Sequence, residues 1–251
     1  MIEKEDKVQN TRIGNQLQKN KLFKIGEILF LFIFAFFFIL LILPLAGNNP
    51  ILKQTVLWIA NILMLIYVWI GLKLRGESWK DFGLTFNSIS WRGGIKVLLL
   101  SLLVFVLALA GFIIGSIIMA NITGIPEGAN LTGYDYLKDN IGMLLLTLAG
   151  VYIVSSFGEE VIYRGFLITR ISQIGTDSRK AITIAIILSS IIFGLIHYSW
   201  GPMGMVQTGF MGLALGICYI KLKRRLWILI LAHAYMDTCL LYTSDAADDL
   251  L

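Results

Sequence analysis

Apolar residues run in long unbroken blocks along this chain, and polar residues gather between the blocks instead of alternating with them. Seven stretches, 25–45, 54–72, 96–120, 142–163, 181–199, 203–220 and 226–243, predict helices of membrane-crossing character, because a hydrocarbon core takes roughly 20 helical residues to span. Residues 28–43 contain no polar side chain. The Lys-rich approach to this first stretch is that of a signal peptide, but no small-x-small cleavage site follows, so it reads as an uncleaved anchor. Clusters of Gly, Pro and Asn at 44–50, 121–133 and 201–202 mark loops, and no internal repeat is visible. The pattern predicts an all-α, multi-pass helical membrane protein with about seven transmembrane helices. Its regions are a cytoplasmic basic arm over 1–24, N-terminal transmembrane helices and loops over 25–140, a second transmembrane block over 141–240, and an acidic tail over 241–251.

Composition agrees with that class: 57% of residues are hydrophobic and only 15% charged, against about a quarter charged in a typical globular domain. Disorder and nucleic-acid binding are excluded on this ground. The excess of Lys and Arg follows topology: nineteen of the 21 fall in the N-terminal arm, the 73–96 connection, the end of the fourth stretch and its flank, and the 221–225 turn. Only Lys53 and Lys138 fall opposite, so the N-terminus is expected in the cytoplasm and the C-terminus outside. Sequons at Asn121 and Asn130 would lie in an outer loop. Cys218 and Cys239 lack metal or disulfide spacing and read as buried structural residues.

Ionisable residues inside spans are costly, by roughly 2.5–3.5 kcal/mol each at a helix centre on insertion scales, and are functional candidates by default. Here they collect in the second half. Glu159 and Glu160 are followed by Arg164; Phe193 precedes His197 by one turn; His233 precedes Asp237 by one turn, and these are the chain's two histidines. Glu160 and Arg164 share a helix face and can pair, which leaves Glu159, rotated about 100°, for other work. His233 and Asp237 also share a face, so the carboxyl group can orient the imidazole or join it at a common cavity. Gly158, Gly165 and Gly194 permit close helix approach. Each piece has a bland reading as well: a structural ion pair, packing histidines, an Asp facing water at a helix end, a core Phe. Their conjunction in three successive patches favours a shared site.

These residues resemble the CPBP family, the CAAX protease and bacteriocin-processing membrane endopeptidases, also called type II CAAX prenyl endopeptidases. The three motifs are Glu159-Glu160-Val-Ile-Tyr-Arg164, Phe193 to His197, and His233 to Asp237, in the family's order and spacing. Residues 78–84, Ser-Trp-Lys-Asp-Phe-Gly-Leu, also look like a short amphipathic segment that precedes the family's conserved region. The resemblance makes 141–240 a catalytic core and implies peptide-bond hydrolysis within the bilayer. Carried over, Glu159 is the general base, His197 helps hold the attacking water, His233 and Asp237 face the oxyanion, and Glu160, held by Arg164, supports the site. The eukaryotic branch has Asn where this chain has Asp237; an Asp there must be protonated, orient His233, or bind a metal. His197 and His233 with a carboxylate could ligate zinc, so zinc and a metal-free glutamate mechanism both stand.

The leading expectation is therefore an endopeptidase of the bacterial plasma membrane that acts on membrane-associated peptides, in bacteriocin processing or self-immunity. A peptide-binding immunity protein that does not cut, and a proton-coupled transporter, are the alternatives from other classes. Straight helices put His197 roughly 25 Å and His233 only about 12 Å above the ends of their spans, which would keep them apart. Residues 242–249, Tyr-Thr-Ser-Asp-Ala-Ala-Asp-Asp, resemble translated sequencing-adapter read-through, with a different natural continuation expected after Asp237.

Overall fold

In the computed structural model residues 11–85, 90–124 and 136–246 are described, with side chains to 242. Every regular element among them is helical. A short helix α1 (Arg12–Lys19) leads into α2 (Lys21–Ile42), α3 (Pro50–Arg75) and α4 (Trp91–Thr123). One continuous helix then runs from Ile141 to Ile174, made of α5 (Ile141–Val151), a π-helix (Tyr152–Ile168) and α6 (Thr169–Ile174). It is followed by α7 (Arg179–Leu195), α8 (Gly201–Lys221) and α9 (Leu226–Ala246).

All seven apolar stretches are thus helical. Among the described residues five helices are long and apolar enough to cross a membrane: Lys21–Ala46, Pro50–Arg75, Trp91–Thr123, Ile141–Ile174 and Tyr198–Lys221. The helix α7 has 17 residues and ends at Leu195, short of the expected 199, and the apolar part of α9, Leu226–Tyr242, is also shorter. Large apolar side chains of α2, α3 and α4 are exposed, and those of α2 and α4, among them Phe36, Leu41, Leu99 and Ile117, more than half so. A surface of that kind is stable only against lipid or a partner.

The π-helix is the axis of the fold. Eleven consecutive residues, Gly158 through Ile168, are buried, and the segment packs against α3, α7 and α9. Small residues set the closest approaches. A methyl on Gly111 would lie 2.7 Å from the Phe210 carbonyl oxygen of α8, and one on Gly194 would lie 2.5 Å from that of Met205. Gly194 therefore does what its sequence position predicts, whereas Gly165 meets the Phe82 ring at 3.2 Å and Gly158 meets only side chains at 3.4 Å.

The N-terminal arm, the end of α3 and α6 are locked together by polar contacts between residues far apart in the chain. Thr11 caps α1 and donates its N–H and hydroxyl to the Leu74 carbonyl, and Gln18 donates to that of Arg75, so the arm satisfies the last carbonyls of α3. Arg75 forms a buried bidentate pair with Glu27, and Arg170 pairs with Glu77. Arg75, Arg164 and Arg170 are all buried in ion pairs, which removes them from the set of interfacial charges that the topology argument counted. Cys218 is buried, but Cys239 is exposed, contrary to expectation. The Asn130 sequon and Lys4 and Lys7 of the arm lie outside the described residues, as do residues 247–251 of the acidic tail; α9 itself continues to Ala246.

Candidate active site

The three motifs meet around one aromatic ring. Phe193 is fully buried, with its centroid 4.9 Å from the His197 ring and 6.2 Å from the His233 ring. The Arg164 guanidinium stands over the same ring at 4.4 Å, and Tyr163 meets it edge-on at 5.1 Å. The sequence marked Phe193 only as a wall of the cavity; in the structure it touches a member of every motif. The expected separation of the histidines is not found, since both rings stand beside Phe193. Leu226, Ile228 and Leu229 are fully buried, and Trp227 donates its indole N–H to the Thr85 carbonyl, which packs the start of α9 inside the protein.

Glu160 is the anchor. Its Oε1 accepts from Arg164 Nη1 at 2.7 Å and from His233 Nδ1 at 2.8 Å. That second bond fixes the imidazole and turns Nε2 toward Glu159 Oε2, 3.9 Å away, and Asp237 Oδ1, 3.8 Å away. The Glu160–Arg164 pair is as the spacing predicts. The 100° separation of Glu159 is not. Residues 152–168 are wound with i→i+5 hydrogen bonding, so adjacent side chains diverge by less than in an α-helix, and both carboxylates come to one imidazole. Segments of this winding are frequent at functional sites.

Asp237 accepts a hydrogen bond from the Ser156 hydroxyl at 2.6 Å. At 3.8 Å it is too far to hold His233 directly, so Glu160 orients that ring and Asp237 joins it as a neighbour. Ser156, invisible as a candidate in sequence, lies three residues before Glu159 in the same buried segment. His197 sits just past the end of α7, half-buried, with Nδ1 2.7 Å from the Phe193 carbonyl oxygen. A carbonyl only accepts, so Nδ1 carries a proton, and in its neutral form the imidazole presents Nε2 as an acceptor.

Glu159, His197, His233 and Asp237 all line one cavity of about 1050 Å³, at the upper end of the usual range for ligand sites. Much of the rest of its lining is apolar and comes from α2, α3 and α4, including Phe36, Trp58 and Phe112, and Lys53, Gln54 and Asn61 of α3 line it as well. Arg164 and Glu160 stand behind this surface. Among the described residues no group of three or more His, Cys, Asp and Glu side chains is gathered closely enough to hold a metal ion. Both imidazoles direct Nδ1 to protein acceptors. With Nδ1 so engaged, Nε2 is the atom each ring would offer to a metal.

Residues 141–239 match a family model described as type II CAAX prenyl endopeptidase Rce1-like. All three motifs fall within the match. Over this segment the chain is similar to that CPBP-type family. No curated protein and no solved structure matches the chain. The CPBP match covers less than half of the chain and stops short of α2, α3 and α4, so the cavity is built from family residues on one side and from helices outside the match on the other. The Rce1-like family is one of proteases, and the helices fit a membrane protein.

Proposed function

We propose that this protein is an intramembrane endopeptidase that hydrolyses peptide bonds of membrane-associated peptides. The observation that carries the reading is the placement of one imidazole, held by Glu160, against Glu159 and Asp237 on the wall of a large, mostly apolar cavity. Glu159 is the general base. Atoms 3.9 Å apart can both bond one water, so the attacking water donates one proton to the Glu159 carboxylate and the other to the acceptor Nε2 of His197, while its oxygen accepts from the Nε2–H of His233, which in its protonated form donates to Glu160 through Nδ1 as well. Glu159 removes a proton as the water oxygen bonds the peptide carbonyl carbon, then returns that proton to the leaving nitrogen as the C–N bond breaks. Glu160, held by Arg164, fixes His233 for this exchange, and Asp237, held by Ser156, stands beside its Nε2. General acid–base catalysis of this type contributes roughly 10²–10⁴-fold.

The proposed setting is a bacterial plasma membrane with the N-terminus in the cytoplasm and all seven helices embedded, and the proposed role is processing of, or self-protection against, bacteriocin-like peptides. This step uses no metal. The test is cleavage of a panel of membrane-anchored peptides by purified protein in lipid, with Glu159→Gln and a zinc chelator as parallel arms. Cutting that Glu159→Gln abolishes and the chelator spares is the expected result. Activity lost on chelation and restored by zinc would replace the metal-free step, and peptide binding without cutting would favour an immunity receptor. Peptide-independent proton-driven uptake would mark a transporter.

A further inference from the structure

One wall of the cavity belongs to none of the three motifs. The helix α3, outside the family match, turns Gln54, Trp58 and Asn61 to it, at spacings that share one helix face. Asn61 is the single amide side chain in the apolar run 56–72, where a polar group in a span is costly and marks use. Trp58 Nε1 and Asn61 Oδ1 are buried atoms with no hydrogen-bond partner. One is a donor and the other an acceptor, one turn apart.

Their positions are built by the segment that carries the motifs. A methyl on Gly150 would fall 2.2 Å from the Trp58 ring, so the indole occupies the notch this glycine leaves. A methyl on Gly158 would fall 3.4 Å from Asn61 Oδ1, which sets that oxygen against the residue preceding Glu159. An extended peptide offers the N–H and C=O of one residue to the same side, and in an apolar wall both need partners. A helical segment has already paired those groups within itself.

We propose that Trp58 and Asn61 hold the main chain of an extended substrate segment beside Glu159, the indole N–H donating to a peptide carbonyl and Asn61 Oδ1 accepting from a peptide N–H. The substrate class is thus a peptide already unwound at its cleavage site. This rests on the peptide-cleaving reading, and the two are positioning residues for it.

The experiment measures binding of a fluorescent membrane-anchored peptide to the full-length Glu159→Gln protein in nanodiscs, with Trp58→Phe or Asn61→Leu added, and KM and kcat for the same changes in active protein. Peptides N-methylated at one main-chain position at a time are run alongside. Expected are a roughly three- to tenfold loss of binding per change, a rise in KM with kcat nearly kept, and one N-methyl position that weakens binding to the parent but not to Asn61→Leu. Unchanged binding in both variants, no binding by the parent, or an N-methyl penalty that persists in Asn61→Leu overturns the proposal. Binding that follows the expected pattern with no cleavage by active protein would sink the endopeptidase reading and leave this one standing.

Discussion

A single oxygen, Oε1 of Glu160, accepts from both Arg164 and His233, so neutralising that carboxylate releases two groups at once. Arg164 is 1% exposed, and its remaining close neighbour is the face of the Phe193 ring. Glu160→Gln leaves a guanidinium buried without a counter-charge, a change that typically costs about 3–5 kcal/mol. The expected outcome is a large drop in unfolding free energy in detergent, followed by tryptophan fluorescence, with Glu160→Gln/Arg164→Met recovering part of it. Recovery discriminates a charge pair from a mere packing position, because the double change deletes the orphaned cation. Glu159 makes no hydrogen bond through Oε2, so Glu159→Gln is expected to leave stability nearly unchanged while removing activity.

At the scale of elements, the helices were legible because apolar blocks of membrane length leave few alternatives, and the three motifs because ionisable residues are rare in such blocks. The winding of residues 152–168 was not legible. Hydrogen-bond register is decided by the packing of α3, α7 and α9 around that segment, and it is this register that brings Glu159 and Glu160 to the same imidazole. The pairs Glu27–Arg75 and Glu77–Arg170 join residues far apart in sequence, so their arginines read as interfacial charges. Asn61 does carry a signal, as an amide inside the second apolar stretch, though a weaker one than an ionisable group gives. The contact between α7 and α8 is the element on which His197 depends. Gly194→Ala forces its methyl against backbone at 2.5 Å, whereas the same change at Gly26 meets nothing within 4 Å. Overpacking of this kind costs about 1–3 kcal/mol. The expected outcome is a lower unfolding midpoint and slower cleavage for Gly194→Ala, with Gly26→Ala as the unaffected control in the same assays.

The whole molecule presents lipid-suited side chains on α2, α3 and α4 and a polar lock joining the arm, α2, α3 and α6. With three arginines withdrawn into buried pairs, orientation rests on the exposed basic residues. Lys223, in the turn before α9, is one of these, and Lys53, near the start of α3, lies opposite. In protein with Cys218 and Cys239 replaced by Ala, a membrane-impermeant maleimide is expected to label Lys53→Cys in spheroplasts and Lys223→Cys only in inverted vesicles; the reverse pattern would overturn the proposed orientation. The central claim, that Glu159 activates water for hydrolysis within the cavity, is tested most directly by mass spectrometry of a membrane-anchored peptide incubated with the lipid-reconstituted protein in ¹⁸O-labelled water. Wild type should yield two fragments, the new carboxyl terminus carrying one heavy oxygen, while Glu159→Gln binds the peptide equally and yields neither. Equal cleavage by both proteins, or binding by both with no fragment from either, would contradict the account.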